Sequence, residues 1–159
     1  FTHYWDKFNF LDTSLVLKPE YGEQAIVDYM SYFPKVNKDL INQGLEDVFN
    51  QAKTEKKTFN YFQETMARYL GDPNSPLRND EIYEQFIVTV LKTDHLEEAQ
   101  KIKYETMLPL IRRNKVGTKA SDFKFLKQQG QTTSLLAEQA DLTFLMFYEP
   151  GCSLPLPAH

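Results

Sequence analysis

The sequence predicts a mainly α-helical protein, with a bundle of about five antiparallel helices followed by a short β segment. Apolar residues recur with a helical period from about residue 20 to 113, and glycines and prolines divide that stretch into short segments. After residue 113 the composition changes and polar residues alternate with apolar ones, as in strands. Helices joined by loops of a few residues pack as antiparallel neighbours, which predicts the bundle.

The composition sets limits on the function. Of the 159 residues, 42% are hydrophobic, which is enough for a substantial core. The net charge of -4 offers no electrostatic footprint for nucleic acid, so we expect no nucleic-acid partner. No apolar stretch approaches the roughly 20 residues that cross a bilayer. The sequence begins at Phe1 without a methionine, so we expect any export signal to lie outside it.

The aromatic content of the segment before the first helix predicts that this segment packs on the bundle. Residues 1–17 are rich in large aromatic side chains, which are Tyr4, Trp5, Phe8 and Phe10. The burial of each such ring is favourable, so we expect this many rings together to leave water. We therefore expect a short helix or an extended arm that covers part of the core.

The boundaries of the first three predicted helices follow from local chemistry. A helix over about 20–33 stops at Pro34, which cannot continue it. A second, about 38–54, carries a regular apolar stripe. A third, about 58–70, is followed by Gly71, which we expect at the position just after the helix, where a left-handed backbone is common.

Two further helices complete the predicted bundle. Asn79 is a good N-cap for a helix over about 80–92. Asp94 and Glu97 have the spacing of a capping box, which predicts a fifth helix from there to about residue 113. The residues expected to be largely buried across the bundle are Phe49, Phe62, Met66, Phe86 and Ile87.

The C-terminal part has strand character. Residues 122–126, 133–136 and 142–148 are predicted strands, with a turn at Gly130. A bare apolar strand at a sheet edge invites pairing. Either these strands fold back on the helical bundle, or a second copy of the chain covers them, which would give a homodimer through residues 122–148.

The third predicted strand leads to Cys152, the single cysteine of the chain. A strand that delivers a cysteine to a turn before a helix is a common setting for a reactive thiolate, since the helix N-terminus stabilises the negative charge. In a C-x-x-C pair the second cysteine would stand at position 155, which here is Pro155. The histidines, at positions 3, 95 and 159, have no companions at metal-ligand spacing, so we expect neither a metal nor a cofactor.

Several phrases of the sequence resemble known families. Residues 115–123 and the run ending Phe147-Tyr-Glu-Pro-Gly-Cys152 are similar to the opening of periplasmic thioredoxin-like thiol-disulfide oxidoreductases related to cytochrome-maturation proteins. Residues 4–14 and 71–79 resemble the helical domain of unknown function that precedes such a domain in Gram-negative envelope proteins. The resemblance implies a helical domain over 1–114 and an incomplete thioredoxin-like segment over 115–159.

The resemblance also implies a function and a location. Cys152 stands at the position of the nucleophile of that family, and Pro155 at the position of the resolving cysteine. The chain is then the recognition or dimerisation part of an oxidoreductase-like protein of the periplasm or cell envelope, without dithiol activity of its own; whether it is an enzyme stays open. The alternative is a helical protein-interaction module without redox function, in which Cys152 is an incidental buried thiol. In both cases the expected partners are proteins.

Overall fold

The computed structural model describes residues 1–146, which divide after Thr118 into two compact units. The helices are α1 (Thr13–Val16), α2 (Gln24–Ser31), α3 (Lys38–Ala52), α4 (Lys56–Gly71), α5 (Asp80–Leu91) and α6 (Glu98–Ile111). The strands of the described part are β1 (Lys124–Leu126) and β2 (Thr132–Ser134). The predicted class, mainly helical with a short β segment, is confirmed.

Side chains at the helix starts explain several boundaries. The Asn37 side chain accepts a hydrogen bond from the backbone N–H of Leu40 at 2.9 Å and caps α3. The Asn79 side chain accepts from the N–H groups of Glu81 and Ile82, both at 3.1 Å, so the predicted cap of α5 is confirmed. Such caps satisfy backbone donors that have no partner within the helix.

The capping box of α6 lies three residues later than predicted. Glu97 is the N-cap, and its backbone N–H donates to the side chain of Gln100 at 3.1 Å. Asp94 is instead part of the turn after α5, where the Thr93 hydroxyl donates to the carbonyl of Val90 at 2.7 Å. Asp94, which the sequence pattern assigned to the start of α6, therefore belongs to the turn that follows α5.

Helix α4 lies at the centre of the helical unit. It packs against α1, α2, α3 and α5, and α5 in turn packs against α3 and α6. The five residues predicted as core, Phe49, Phe62, Met66, Phe86 and Ile87, are all buried. Because α4 is contacted by four other helices, most of its side chains other than the charged ones are removed from water.

The aromatic N-terminal segment packs on this core, as predicted. Trp5 is 5% exposed, and its ring centroid lies 5.3 Å from that of Phe62. The Thr58 hydroxyl donates to the carbonyl of Phe10 at 2.7 Å in a buried position. The segment consists of turns followed by the short helix α1, and it continues through a π-helical turn, Pro19–Glu23, into α2.

The second unit contains a small antiparallel hairpin. Strands β1 and β2 pair with Phe125 opposite Thr133, and a short 3-10 turn follows β2. The Asp122 side chain accepts a hydrogen bond from the backbone N–H of Leu136 at 3.0 Å and so ties together the two ends of the hairpin. Both strands are shorter than the sequence pattern indicates.

The third predicted strand, over residues 142–148, is not found in its described part. Residues 142–146 have no strand structure and are exposed, with Phe144 at 87%. A strand exists through hydrogen bonds to a neighbour, and residues 1–146 provide no strand that pairs with this run. Apolar character alone was therefore insufficient to form it.

Truncation of Phe62 tests the central role of α4. We expect Phe62→Ala to lower the free energy of unfolding by about 3 to 5 kcal/mol, because the ring is fully buried and a cavity remains. Urea unfolding followed by circular dichroism measures the change. Tyr32→Ala is the matched control, since Tyr32 is 45% exposed, and it should cost far less. A loss below about 1 kcal/mol for Phe62→Ala would contradict the assigned packing.

Candidate functional site

A surface groove of about 670 Å³ runs beside α4 in the helical unit. Gln63 and Gly71 of α4, Tyr83 of α5, and Tyr104 and Met107 of α6 all line it. The recesses beside His95, Asn42 and Trp5 are smaller, at about 220, 170 and 330 Å³. We therefore take this space, called the α4–α6 groove below, as the candidate site of the helical unit.

The groove is lined by buried polar groups. The Tyr104 hydroxyl donates a hydrogen bond to Oε1 of Gln63 at 2.7 Å and joins α6 to α4. Gln63 is 1% exposed and Tyr83 is 5% exposed. Neither the Gln63 amide nitrogen nor the Tyr83 hydroxyl is among the fully buried side-chain atoms of residues 1–146 that lack a hydrogen-bond partner. The groove they line is open to solvent.

Gly71 allows Tyr83 to reach its position. A Cβ added to Gly71 would lie 2.7 Å from the ring of Tyr83, closer than real Cβ contacts allow. Gly71 is the last residue of α4 rather than the residue after it, and its φ is not positive. The prediction of a left-handed glycine was wrong here, because this glycine is needed for the close approach of a ring.

Burial fixes the protonation state of the two tyrosines. Burial raises the pKa of Tyr83 above its usual value, and it raises the pKa of Tyr104 further, with the neighbouring Tyr83 as a smaller cause. Both hydroxyls therefore keep their protons at neutral pH and can donate hydrogen bonds. A role as an anionic nucleophile is excluded for either group under those conditions.

The rim of the groove carries charges of both signs. Glu64 and Asp72 are acidic, whereas Arg68 and Lys103 are basic. Arg68 already pairs with Glu23, with 2.8 Å between Nη2 and Oε1. The Lys103 ammonium lies 5.8 Å from the centre of the Tyr104 ring. With two opposite pairs of charges, the rim offers no net attraction for a polyanion.

A buried carboxylate lies elsewhere on α5. The Glu84 side chain is 9% exposed and accepts a hydrogen bond from Nε of Arg112 at 2.8 Å and another from the Lys115 ammonium. Burial opposes its charge, but the hydrogen bonds from Lys115 and Arg112 outweigh that cost and hold its pKa below the usual range. This ion-pair cluster fastens the end of α6 and the residues after it to α5.

The site residues predicted from the sequence lie elsewhere. Cys152 and Pro155 lie outside the described residues, so their roles stay predictions. Among the described residues, no group of three or more His, Cys, Asp or Glu side chains is placed to hold a metal ion. His3 contacts Asp6 at 2.9 Å, and His95 packs against Phe59. Over residues 1–146, no helix is both long enough and apolar enough to cross a membrane.

Sequence reasoning missed the α4–α6 groove. Its tyrosine rings are indistinguishable from ordinary core residues in a helical pattern. One signal was present in Gln63, which directly follows the inward-facing Phe62 and precedes the inward-facing Met66 by three positions. A polar residue on the core face of a helix is a reason to search for its hydrogen-bond partner.

The helical unit corresponds to a known protein family. The model of a domain of unknown function (DUF5106) matches residues 1–114. The chain belongs to this family.

Comparison with solved structures adds a second relationship. The chain is similar to the crystal structure of a thioredoxin-like protein from Bacteroides caccae ATCC 43185, with a TM-score of 0.79 and 35% sequence identity. The similarity covers 88% of this chain and 50% of that one, so the chain spans half the length of that protein. No curated protein matches the chain.

The pH dependence of stability tests the Glu84 cluster. Because the pKa of folded Glu84 is lowered, its contribution to stability is present above the ordinary carboxyl value of 4.5 and is lost as the pH falls through the lowered value. We expect Glu84→Gln to be less stable than the unmodified protein at pH 7, and the difference to shrink as the pH falls below 4.5. Urea unfolding over a pH series measures it.

Glu64→Gln is the matched control, because Glu64 is exposed and forms none of the ion pairs in the described part of the chain. The control should change stability little. A Glu84→Gln difference that stays constant from neutral to acid pH would contradict the charged state of Glu84.

Proposed function

We propose that this chain is the helical N-terminal part of a thiol-disulfide oxidoreductase-like protein of the cell envelope, with the start of a thioredoxin-like domain after it. The proposed boundary lies between residues 114 and 115. The extent of the structural similarity carries this proposal. It covers 88% of the chain, more than the residues 1–114 of the family domain, so it continues into the second unit.

The exposed apolar side chains of the second unit support the same arrangement. Leu126 is 72% exposed, Leu142 is 70% exposed and Phe144 is 87% exposed. Soluble proteins rarely leave large contiguous apolar surface in water unless it meets another surface. The remainder of a thioredoxin-like domain, or a second copy of the chain, would cover such residues.

The proposed chemistry is limited to one thiol. As a thiolate, Cys152 would attack one sulfur of a disulfide, form a mixed disulfide and release the other sulfur as a thiolate. Completion of a catalytic cycle requires a second thiol to attack that mixed disulfide. Pro155 occupies the position of the second cysteine, so this chain would stop at the mixed disulfide.

A disulfide-reduction assay tests this chemistry. With insulin as the substrate and dithiothreitol as the reductant, we expect no rate above the uncatalysed reaction. The chain has no second thiol of its own to resolve the mixed disulfide, and release by dithiothreitol should be no faster than the direct reduction of insulin by dithiothreitol. One equivalent of an aromatic disulfide reagent should still react with Cys152 in each chain. Sustained catalysis by the unmodified chain that disappears in Cys152→Ser would overturn the proposal.

We propose self-association as one role of the segment after the helical domain. The described part of residues 122–148, which ends at residue 146, combines the β1–β2 hairpin with the exposed apolar residues that follow it. An unpaired strand edge and apolar side chains next to it favour pairing with a second copy.

Sedimentation analysis of two chain lengths tests the proposed dimer. We expect the full chain to dimerise and a version that ends at Thr118 to stay monomeric, because the shorter version lacks the hairpin but keeps Lys115 with Glu84. If both are monomeric at high concentration, or if both dimerise, residues 122–148 do not form the interface.

A further inference from the structure

The recess beside Trp5 differs in charge from the other spaces described above. Its volume is about 330 Å³, and it is lined by residues of the N-terminal segment, of α2 and of α3. The charged side chains that line it are those of Asp6 and Asp47, and both are acidic. The α4–α6 groove and the recesses beside His95 and Asn42 are lined by charges of both signs. This space, called the Trp5 recess below, therefore favours a ligand of positive charge.

Three aromatic rings line the same recess. The Phe1 ring stacks on that of Tyr29 with 4.8 Å between centroids, and the Trp5 ring lies 5.0 Å from the Tyr29 ring. The face of an aromatic ring attracts a cation, most of all an organic ammonium ion. Calcium and magnesium ions instead prefer a shell of oxygen ligands. Rings beside carboxylates thus indicate an organic cation rather than a metal ion.

Gly44 of α3 allows these rings to lie against the helix. A Cβ added to Gly44 would lie 2.2 Å from the Tyr29 hydroxyl oxygen and 2.8 Å from the Phe1 ring. Asp47 follows three residues later on the same face of α3. Burial raises the pKa of Tyr29, and the charge of Asp47 raises it further, so this carboxylate lies near the Tyr29 hydroxyl. Asp47 forms none of the ion pairs within residues 1–146 and can attract a ligand.

The indole N–H of Trp5 adds a demand for a hydrogen-bond acceptor. Trp5 is 5% exposed, and its Nε1 has no hydrogen-bond partner among residues 1–146. The N–H faces the Tyr29 hydroxyl closely enough to oppose the rise of its pKa in part, but it forms no hydrogen bond there. A folded protein rarely retains a buried donor without an acceptor from water or a ligand. An oxygen atom on the ligand would supply one.

We propose that the Trp5 recess binds a small organic ammonium ion that also carries an oxygen acceptor, as an amino alcohol does. Asp6, Asp47 and the aromatic rings attract the ammonium group, and the oxygen accepts from the Trp5 N–H. A lipid headgroup would bring a phosphate against the two carboxylates, so a free amine fits the recess better. This binding role is independent of the thiol chemistry of Cys152 and of self-association.

The solvent exposure of the recess determines the affinity to expect. The Asp6 side chain is 61% exposed, and it already contacts His3 at 2.9 Å. Exposed ion pairs and exposed contacts between cations and rings are weak, so we expect a dissociation constant of about 1 to 10 mM. The experiment therefore needs millimolar ligand and a reporter inside the recess.

Trp5 supplies that reporter, because it is the single tryptophan of the chain. We expect choline to shift the indole N–H resonance of the nitrogen-15-labelled full chain along a saturable curve in an NMR titration. The neutral alcohol 3,3-dimethylbutan-1-ol has the shape of choline without its charge, and it should leave the resonance nearly unchanged, as should sodium chloride. Absence of a shift with choline, or an equal shift with the neutral alcohol, would overturn the proposal.

A third titration distinguishes a free amine from a lipid headgroup. Phosphocholine carries the same ammonium group next to a phosphate, which the two carboxylates repel. We expect it to bind the unmodified chain more weakly than choline does. Tighter binding of phosphocholine would contradict the assignment to a free amine.

A pair of substitutions on α3 locates the site. Asp47→Asn removes one charge from the recess at nearly constant size, and we expect choline to bind about two- to fivefold more weakly. Asp39→Asn makes the same change at an exposed position of α3 outside the recess and should leave the affinity unchanged. Both variants retain the Trp5 reporter. Equal affinities of the two variants for choline would show that the Trp5 recess is not the site.

Discussion

The packing of aromatic rings around Phe62 is the constraint on which the helical unit depends. Trp5 and Phe10 each lie 5.3 Å from the Phe62 ring, and Phe8 lies 5.7 Å away. More than fifty positions separate Phe62 from each of the other three rings in sequence, so these contacts join two distant parts of the chain. Offset and edge-to-face ring pairs add about 0.5 to 1.5 kcal/mol each beyond the burial of their area. The N-terminal segment is thus part of the core, although it has little regular structure.

Helix α4 packs an aromatic ring on one side and carries a polar side chain on another, and this explains the position of the groove. One side of the helix must bury Phe62 against the N-terminal rings, and the helix also carries Gln63 toward α6, where the Tyr104 hydroxyl meets it. Adjacent residues on a helix point about 100° apart, so a single helix can serve both surfaces without distortion. The aromatic core that fixes the position of Phe62 therefore also fixes the position of Gln63 on the same helix.

Much of the fold was predictable because it depends on local chemistry. Helix periods and the Asn79 cap follow from neighbouring residues alone. The predicted α6 cap was wrong, and so was the described part, residues 142–146, of the strand predicted over 142–148. The cap depended on competition with the end of α5, and the strand depended on pairing with another part of the chain. The α4–α6 groove could not be predicted for the same reason, because the contact between Gln63 and Tyr104 joins residues 41 positions apart.

The ion pairs of Glu84 have a consequence for where the helical domain physically ends. The family match stops at residue 114, whereas Lys115 reaches back to a carboxylate on α5. A protein engineer who joined residues 1–114 to another domain would leave Glu84 with one cation in place of two. The family match therefore ends at least one residue before the folded unit does. A fusion that keeps both cations of Glu84 has to be joined after Lys115.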